Sequence, residues 1–467
     1  MSISLRVGMS LAASVLLASC TLGPDYKRPV VQTPQQFRGV SDTTNQSIAD
    51  LKWFDVFRDE ALKQLVGTAL KQNFELRIAA ERVLEARELY GITRAGQYPV
   101  VGGSVDLTTV RSSQVGANVG VPRGVDTDVT YAQAGFSLGW ELDVWGRLRR
   151  LSESARAQYL ATEEARHAVI TTLIADVTET YLRLRELDLE LQIANRTRDL
   201  ATESLRLTDA RRARGVASGV DVRQSEQLLY TATGQIASVE REITQTENAL
   251  SLLIGQMPGD VPRGRDLEAV VVPPEVPAGL PSALLERRPD IRAAEQQLIA
   301  ANAEIGVAKA EYFPRISLTG FFGTQSRSLS DLLTGPARLA TATVGASVPI
   351  FNAGRTRANV RYTEAVQREM VVNYQRAIHT AFREVADSLT AHTKTMQERS
   401  EQERLVEALR ESVRLTTQRY EGGLDSYLPV LDAQRNLFQG ELDLARLRQQ
   451  EVASIVQLYR ALGGGWA

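Results

Sequence analysis

The chain carries one architecture twice. Residues 76–99 align without gaps on residues 291–314, and the identical positions are Arg77, Ala79, Ala86, Gly91, Ala95 and Pro99 opposite Arg292, Ala294, Ala301, Gly306, Ala310 and Pro314. Three shorter matches follow in the same order: Gly146-Arg147-x-Arg149 with Gly354-Arg355-x-Arg357, Arg212-x-x-Gly215 with Arg419-x-x-Gly422, and Leu253-Ile254-Gly255 with Ala461-Leu462-Gly463. Four ordered matches indicate a duplication rather than chance similarity between alanine-rich helices.

Each copy contains one very long stretch without proline. Residues 147–213 and 355–420 are free of Pro, and a helix of that length spans about 100 Å at roughly 1.5 Å per residue. Such a helix needs a partner along its length. The shorter helices predicted in each copy, about 74–97 with 220–256 and about 290–312 with 427–462, nearly match it when stacked end to end. We therefore predict one long helical hairpin per copy.

Short segments of alternating polarity lie between these helices. They cover about 100–111 and 129–144 in the first copy and about 315–324 and 340–351 in the second. Segments of about ten residues with one apolar face fit strands that cross an outer membrane, while a soluble, half-buried hairpin is the alternative. Four strands cannot close a barrel, and an open edge cannot lie in lipid. If the strands span, several chains share one barrel: three give 12 strands and four give 16.

The N-terminus has the features of a lipoprotein signal. A short apolar run ends at Leu17-Ala18-Ser19-Cys20, and Cys20 is the only cysteine. We predict a signal peptide at 1–19, acylation (including palmitate) of Cys20, and a lipidated extended segment at 20–56. Repeat 1 then covers 57–256, a proline-rich linker and equatorial segment covers 257–289, and repeat 2 covers 290–467.

The composition argues against catalysis, metal binding and nucleic-acid binding. The chain has 54 Lys+Arg against 56 Asp+Glu, which leaves no basic footprint for nucleic acid. Three His and one Cys are too few for a His/Cys zinc cluster unless carboxylates supply the other ligands, and the HExxH, P-loop and G-x-S-x-G motifs are missing. The prediction is a protein with no catalytic residues, no cofactor and no bound metal.

A set of motifs spread along the whole mature chain carries a family resemblance. The motifs are Cys20-x-x-Gly23-Pro24-Asp25-Tyr26-x-Arg28-Pro29, Trp53-x-x-x-Phe57-x-Asp59-x-x-Leu62, Trp140-Glu141-Leu142-Asp143-x-x-Gly146-Arg147, Leu285-x-Arg287-Arg288-Pro289-Asp290-Ile291, Phe313-Pro314, Arg419-Tyr420-x-x-Gly422, Tyr427-Leu428-x-Val430-Leu431-Asp432-Ala433-Gln434-Arg435 and Leu462-Gly463-Gly464-Gly465-Trp466. The sequence resembles the TolC-like outer-membrane factors, in the lipoprotein branch that serves resistance-nodulation-division (RND) efflux systems.

The resemblance implies a mainly α fold with membrane β strands. It implies a homotrimer that forms a 12-stranded β-barrel in the outer membrane and a periplasmic tunnel of 12 helices. The implied partners are a periplasmic adaptor (membrane fusion) protein and an inner-membrane RND transporter. The expected function is a passive exit duct for drugs or other small toxic compounds. A type I secretion duct, a metal-efflux duct and a non-channel envelope lipoprotein are the alternatives.

In this family the periplasmic end closes where the inter-helix turns converge, here at residues 214–221 and 420–426. Asp221 and Tyr420 match the acidic and tyrosine gate positions. Asp425 stands where TolC carries an arginine, so Arg214 or Arg419 would have to supply the positive charge. Asp432 is a further gate candidate, because it matches one of two lumen-facing aspartates in the family; the position of the other is occupied here by Pro429. The turn glycines Gly215, Gly219, Gly422 and Gly423 are the remaining candidates. The alternative interpretation is that the aspartates only cap helices.

Overall fold

The computed structural model describes residues 21–34, 36–38, 47–52, 59–111, 128–269, 277–279 and 281–465. The predicted signal peptide at 1–19, Cys20 and residues 53–58 lie outside the described residues. The elements, in chain order, are α1 Glu60–Gln72, α2 Phe74–Ala95, β1 Val100–Arg111, β2 Asp128–Leu142, α3 Arg147–Ala213, α4 Gly219–Leu253, α5 Leu284–Arg287, α6 Pro289–Ala310, β3 Arg315–Ser326, β4 Arg338–Ser347, α7 Arg355–Glu421 and α8 Leu428–Ala461.

The chain divides into two compact units, and each draws on both copies of the repeat. Unit 1 comprises Met1–Pro29, Leu84–Ala161 and Ala294–Asn373, and it contains the four strands. Unit 2 comprises Val30–Val83, Thr162–Ala293 and Tyr374–Ala467, and it contains both inter-helix turns. The units therefore cut across the duplication instead of following it.

Unit 1 holds one antiparallel sheet with the strand order β1-β2-β3-β4. Because side chains alternate between faces, the register places most of the large apolar side chains on one face, including Val101, Val105, Leu107, Phe136, Leu138, Trp140, Leu318, Phe322 and Val344. A smaller set, Val100, Val110, Val129, Phe321 and Leu339, lies on the other face. This face is open in the single chain, where Val105 is 82% and Val344 72% exposed. The outer edges of β1 and β4 have no neighbouring strand within the sheet.

The fourth strand lies earlier than the predicted 340–351. It begins at Arg338 and ends at Ser347, two residues before Pro349, which has no N–H to give to a ladder. The residues after Ser347, including the apolar Ile350, continue the alternation of polarity in the sequence although they are not paired in the sheet. This continuation made the predicted strand end too late.

Six glycines mark the ends of the repeated elements with left-handed backbone. Their φ values lie between +72° and +84°, and they form three pairs separated by 208 residues each: Gly146 with Gly354, Gly215 with Gly423, and Gly255 with Gly463. In the last two pairs the glycine N–H and the next N–H bond back to carbonyls of the preceding helix, which is the Schellman helix ending. The sequence match of Gly215 with Gly422 was wrong by one residue, because Gly423 is the position that takes the left-handed conformation.

In unit 2 the shorter helices meet end to end, as predicted. The Asn73 Nδ2 just before α2 donates to the Leu253 carbonyl at the end of α4 at 2.8 Å. In the second copy, the Arg288 guanidinium just before α6 donates to the Ala461 carbonyl at the end of α8 at 2.9 Å. Both side chains therefore satisfy carbonyls that a helix end leaves without a partner, and they fix the two stacked junctions.

A buried tyrosine ties α1 to α3 in the same unit. The Tyr181 hydroxyl donates to the Asp59 carboxylate at 3.1 Å and accepts from the Gly264 N–H at 2.8 Å. Asp59 also caps α1 by accepting from the N–H groups of Ala61 and Leu62. Burial, and then the nearby Asp59 charge, raises the pKa of Tyr181 to about 12. Tyr181 is therefore a neutral structural donor at physiological pH.

Residues 21–28, here called the N-terminal strap, lie along α3 and α6 in unit 1. The Leu22 N–H donates to the Trp145 carbonyl at 3.1 Å, and the Leu22 carbonyl accepts from Arg150 Nε at 3.1 Å. At the far end of the strap, Arg28 binds both carboxylate oxygens of Glu295 at 2.7 Å each. The residues directly after Cys20 are thus held by hydrogen bonds to folded elements of both copies.

Candidate functional site

The first inter-helix turn joins α3 to α4 and contains Asp221. The Ser218 side chain accepts from the Asp221 N–H, and the Asp221 carboxylate accepts from the Ser218 N–H at 2.8 Å, which completes a capping box at the start of α4. A capping box satisfies two helix-end donors. Within the single chain, the contacts of Asp221 are therefore those of the capping interpretation.

The second turn joins α7 to α8 and contains an ion pair. Arg419 Nε lies 2.5 Å from one carboxylate oxygen of Asp425, and its terminal nitrogen lies 3.2 Å from the other. The hydrogen bond from Arg419 lowers the pKa of Asp425 and raises that of the arginine. Asp425 does not cap α8, whose N-cap is Tyr427 without a side-chain hydrogen bond. The geometry therefore selects Arg419, of the two candidate arginines, as the partner of Asp425.

Tyr420 is buried beside this ion pair. Its ring packs edge-on against Tyr427, with centroids 5.2 Å apart, and the Arg211 guanidinium lies 4.4 Å above its centroid. Its side chain is 7% exposed, and its hydroxyl has no hydrogen-bond partner among the described residues. A buried hydroxyl without a partner is costly, so Tyr420 retains an unused donor at the position of the predicted gate.

The remaining sequence candidates have simpler surroundings. Arg214 and Asp432 are exposed. Gly219 is the first residue of α4, and neither it nor Gly422 has a positive φ, in contrast to Gly215 and Gly423. Two of the four turn glycines therefore serve the left-handed helix endings.

Sequence reasoning missed a charge cluster that joins α8 to its neighbours. The Glu441 side chain is 9% exposed, and it contacts Arg196 of α3 at 2.5 Å and Arg410 of α7 at 3.0 Å. Glu441 also lines a cavity of 470 Å³ that Tyr420 and Phe438 line as well. The available signal was a single acidic residue between Phe438 and Leu442 on the apolar face of α8.

A metal-binding cluster and an apolar helix of membrane-spanning length are both absent from the part of the chain that the structure describes. No group of three or more His, Cys, Asp or Glu side chains in this part of the chain is arranged to hold a metal ion. No helix within the described ranges is both long and apolar enough to cross a membrane.

The elements define a class of protein that combines two long helical hairpins with one four-stranded antiparallel sheet. Comparison with known proteins assigns this class to a family. The family model described as "Outer membrane efflux protein" matches residues 65–256 and 280–464. The chain belongs to the outer membrane efflux protein family, and it is an outer-membrane component of an efflux system.

Two relatives and a solved structure show how far the similarity extends. The solvent efflux pump outer membrane protein SrpC of Pseudomonas putida is 41% identical over 466 residues, which cover 98% of each chain. The cation efflux system protein CusC of Escherichia coli O6:H1 is 35% identical over 463 residues, again 98% of each. A crystal structure of CusC superposes with a TM-score of 0.86 at 34% identity, covering 96% of this chain and 100% of that one. The predicted family and fold are confirmed.

Proposed function

We propose that the chain is the passive exit duct of a tripartite efflux pump. It receives small toxic compounds from an inner-membrane RND transporter through a periplasmic adaptor, and it releases them outside without chemical change. Three copies supply the 12 strands of a barrel and the 12 helices of a tunnel. Cys20 carries the lipid.

The open apolar face of the sheet is the observation that supports this proposal most directly. Apolar surface of this extent is unfavourable in water, and it suits the hydrocarbon layer, whose thickness a tilted strand of about 9–11 residues spans. β1 and β4 have 12 and 10 residues. Their open edges require strands from further chains, because unpaired backbone groups cannot face lipid.

The turn residues form the gate in this proposal. The Arg419–Asp425 pair stiffens the α7–α8 turn, and the buried hydroxyl of Tyr420 is a donor available to a group from a neighbouring chain. Asp221 keeps the start of α4 in its capping box. Loosening either turn increases the open fraction of the duct.

Conductance in planar bilayers and export in a deletion strain test the proposal. Asp425→Asn should raise conductance, because a neutral amide holds the arginine less strongly. Glu411→Gln is the matched control. It breaks an exposed ion pair with Arg414 on α7, the helix that carries Arg419, but outside the turn. Equal conductance of both variants and the wild type contradicts the gate. A purified chain that never conducts, or a deletion strain with unchanged susceptibility, contradicts the duct.

The two relatives differ in the cargo for which they are named, a solvent and a cation. The deletion strain is therefore challenged with organic solvents, with antibiotics and with metal salts in parallel. Sensitivity to metal salts alone would favour a metal-efflux duct.

A further inference from the structure

The cavity of 470 Å³ in unit 2 is lined by both copies of the repeat. Its walls come from α3 and α4 of the first copy and from α7 and α8 of the second. Most of the lining is apolar and includes Leu200, Leu207, Leu228, Val413, Val430 and Phe438. A dry cavity of about 150 Å³ already binds benzene, and sites for small organic molecules usually measure about 300–1,000 Å³. The space therefore suits a compound of about two or three rings.

Tyr420 supplies an unused polar group in this apolar lining. Its side chain is 7% exposed, and its hydroxyl has no hydrogen-bond partner among the described residues. The hydroxyl of Tyr427, which lines the same cavity, donates instead to the Gln434 side chain at 3.4 Å. A buried O–H without an acceptor costs free energy, which an acceptor on a ligand recovers. The cavity therefore favours a ligand that brings one hydrogen-bond acceptor to Tyr420.

The charges of the lining determine which kind of acceptor fits. Glu203, Glu421 and Glu441 line the cavity together with a single cation among the described residues, Arg196, which is already paired with Glu441. A carboxylate or phosphate on the ligand would meet this excess of negative charge, and like charges repel. An ammonium group would be attracted, but it has no acceptor to offer the Tyr420 hydroxyl. A neutral carbonyl oxygen meets both requirements.

We propose that this cavity binds a neutral aromatic compound of about two or three rings whose carbonyl oxygen accepts a hydrogen bond from Tyr420. Phe438 and Tyr427 supply aromatic faces for the rings, and aromatic pairs are favourable beyond the area that they bury. Nothing in the reaction-free export of small compounds requires such a site. It is a binding site in the helices and is separate from the path through the duct.

The bound compound also acts on the proposed gate. There the Tyr420 hydroxyl is a donor available to a group from a neighbouring chain, so that group and the ligand carbonyl compete for one hydrogen bond. A ligand shifts an equilibrium toward the state that it binds better, which here is the state in which the neighbouring chain has released the hydroxyl. This consequence rests on the proposed function, and it predicts that the compound raises the open fraction of the duct.

Photolabelling with benzophenone tests the site. Benzophenone is neutral, has two rings and one carbonyl oxygen, and forms covalent adducts under near-ultraviolet light. The full chain in lipid nanodiscs is irradiated with it, and the labelled peptides are identified by mass spectrometry. Adducts are expected within residues 196–208 and 413–441, which contribute most of the lining. The anionic 4-benzoylbenzoate should label these segments several-fold less, because the lining repels a negative charge.

Two pairs of variants make the test specific. Tyr420→Phe removes only the unused hydroxyl, so labelling should fall about 2- to 10-fold, the usual effect of one neutral hydrogen bond. Tyr427→Phe is its matched control, because that hydroxyl already has a partner in Gln434. Val413→Trp fills the cavity and should abolish labelling there. Leu415→Trp is the control for added bulk on α7, since Leu415 is 46% exposed and lies outside the lining.

Labelling of the cavity segments that falls in Tyr420→Phe and Val413→Trp, and not in their controls, supports the site. Labelling confined to other segments, or equal in Tyr420→Phe and Tyr427→Phe, overturns it. In planar bilayers benzophenone should raise the conductance of the wild type and not that of Val413→Trp. A labelled chain whose conductance does not respond contradicts the effect on the gate alone, and a labelled chain that never conducts contradicts the proposed function instead.

Discussion

The N-terminal strap can be tested with a single methyl group placed at two equivalent positions. Gly91 in α2 and Gly306 in α6 correspond in the repeat, and both lie inside helices. A Cβ on Gly306 would stand 2.5 Å from the Leu22 carbonyl oxygen and 2.7 Å from Cγ of Arg150. A Cβ on Gly91 would meet nothing within 4 Å. The strap therefore crosses α6 at Gly306, whereas no residue crosses α2 at Gly91 within that distance.

The expected magnitudes follow from two opposing effects. Alanine inside a helix is more favourable than glycine by about 0.5–1 kcal/mol, because glycine loses more backbone entropy on folding. Gly91→Ala should gain roughly this amount. Gly306→Ala makes the same gain, but it forces the Leu22 carbonyl oxygen out of its hydrogen bond with Arg150 Nε and disturbs the Leu22 N–H, which donates to the Trp145 carbonyl. Overpacking of this kind costs about 1–3 kcal/mol. The difference between the two variants should therefore be about 1–3 kcal/mol.

Chemical unfolding followed by circular dichroism measures this difference at one protein concentration in the same detergent. Limited trypsin digestion provides a local readout, since the Lys27–Arg28 bond lies in the strap next to the side chain that Glu295 holds and should be cut faster in Gly306→Ala than in Gly91→Ala. If the two alanines stabilise the protein equally and leave the cleavage rate unchanged, the strap does not rest on α6 in the way described.

Three further substitutions probe unit 2. Glu441→Gln should cost about 1–2 kcal/mol rather than the 3–5 of a fully buried pair, because its two arginines are about half exposed and water can solvate them; wild-type stability in denaturant titrations would contradict this. Phe438→Ala should cost about 3–5 kcal/mol, whereas its repeat equivalent Tyr230→Ala, at a position that is 66% exposed, should leave the unfolding of the chain nearly unchanged. Since the folded pKa of Tyr181 is raised to about 12 from an ordinary value near 10, its contribution to stability is present below pH 10 and lost as the pH rises toward 12. Melts at pH 9 and pH 11 should show this loss in the wild type and not in Tyr181→Phe.

The sequence was sufficient for the architecture because the architecture is repeated. Long stretches without proline predicted α3 and α7, and alternating polarity predicted the four strands. Prediction from the sequence failed at the ends of elements, because these depend on backbone geometry. The end of β4 follows the last ladder bond rather than the polarity pattern, and the choice between Gly422 and Gly423 depends on which residue takes a positive φ.

The sequence located the candidate site in the two inter-helix turns, but it did not predict which residues contact each other there. The capping box of Asp221 could have been found, since Ser218-x-x-Asp221 at the start of a helix is a local pattern. The pairing of Asp425 with Arg419 depends on how the turn folds back on α7. The sequence offered both Arg214 and Arg419 as partners and could not distinguish between them. Glu441 was missed because its partners are 245 and 31 residues away, and a single sequence gives no signal for such distances.

Glu441 shows what the duplication kept and what it changed. Its carboxylate meets Arg196 and Arg410 within one chain, so it loses water in the same event that brings both partners to it. The residue of the first copy at the 208-residue offset of the glycines is Thr233, which is exposed. A buried carboxylate is costly unless charged partners compensate for the lost water, so the acid belongs to the copy in which two arginines surround it. The glycines at the helix ends are kept in both copies, because both need them for the same backbone turns.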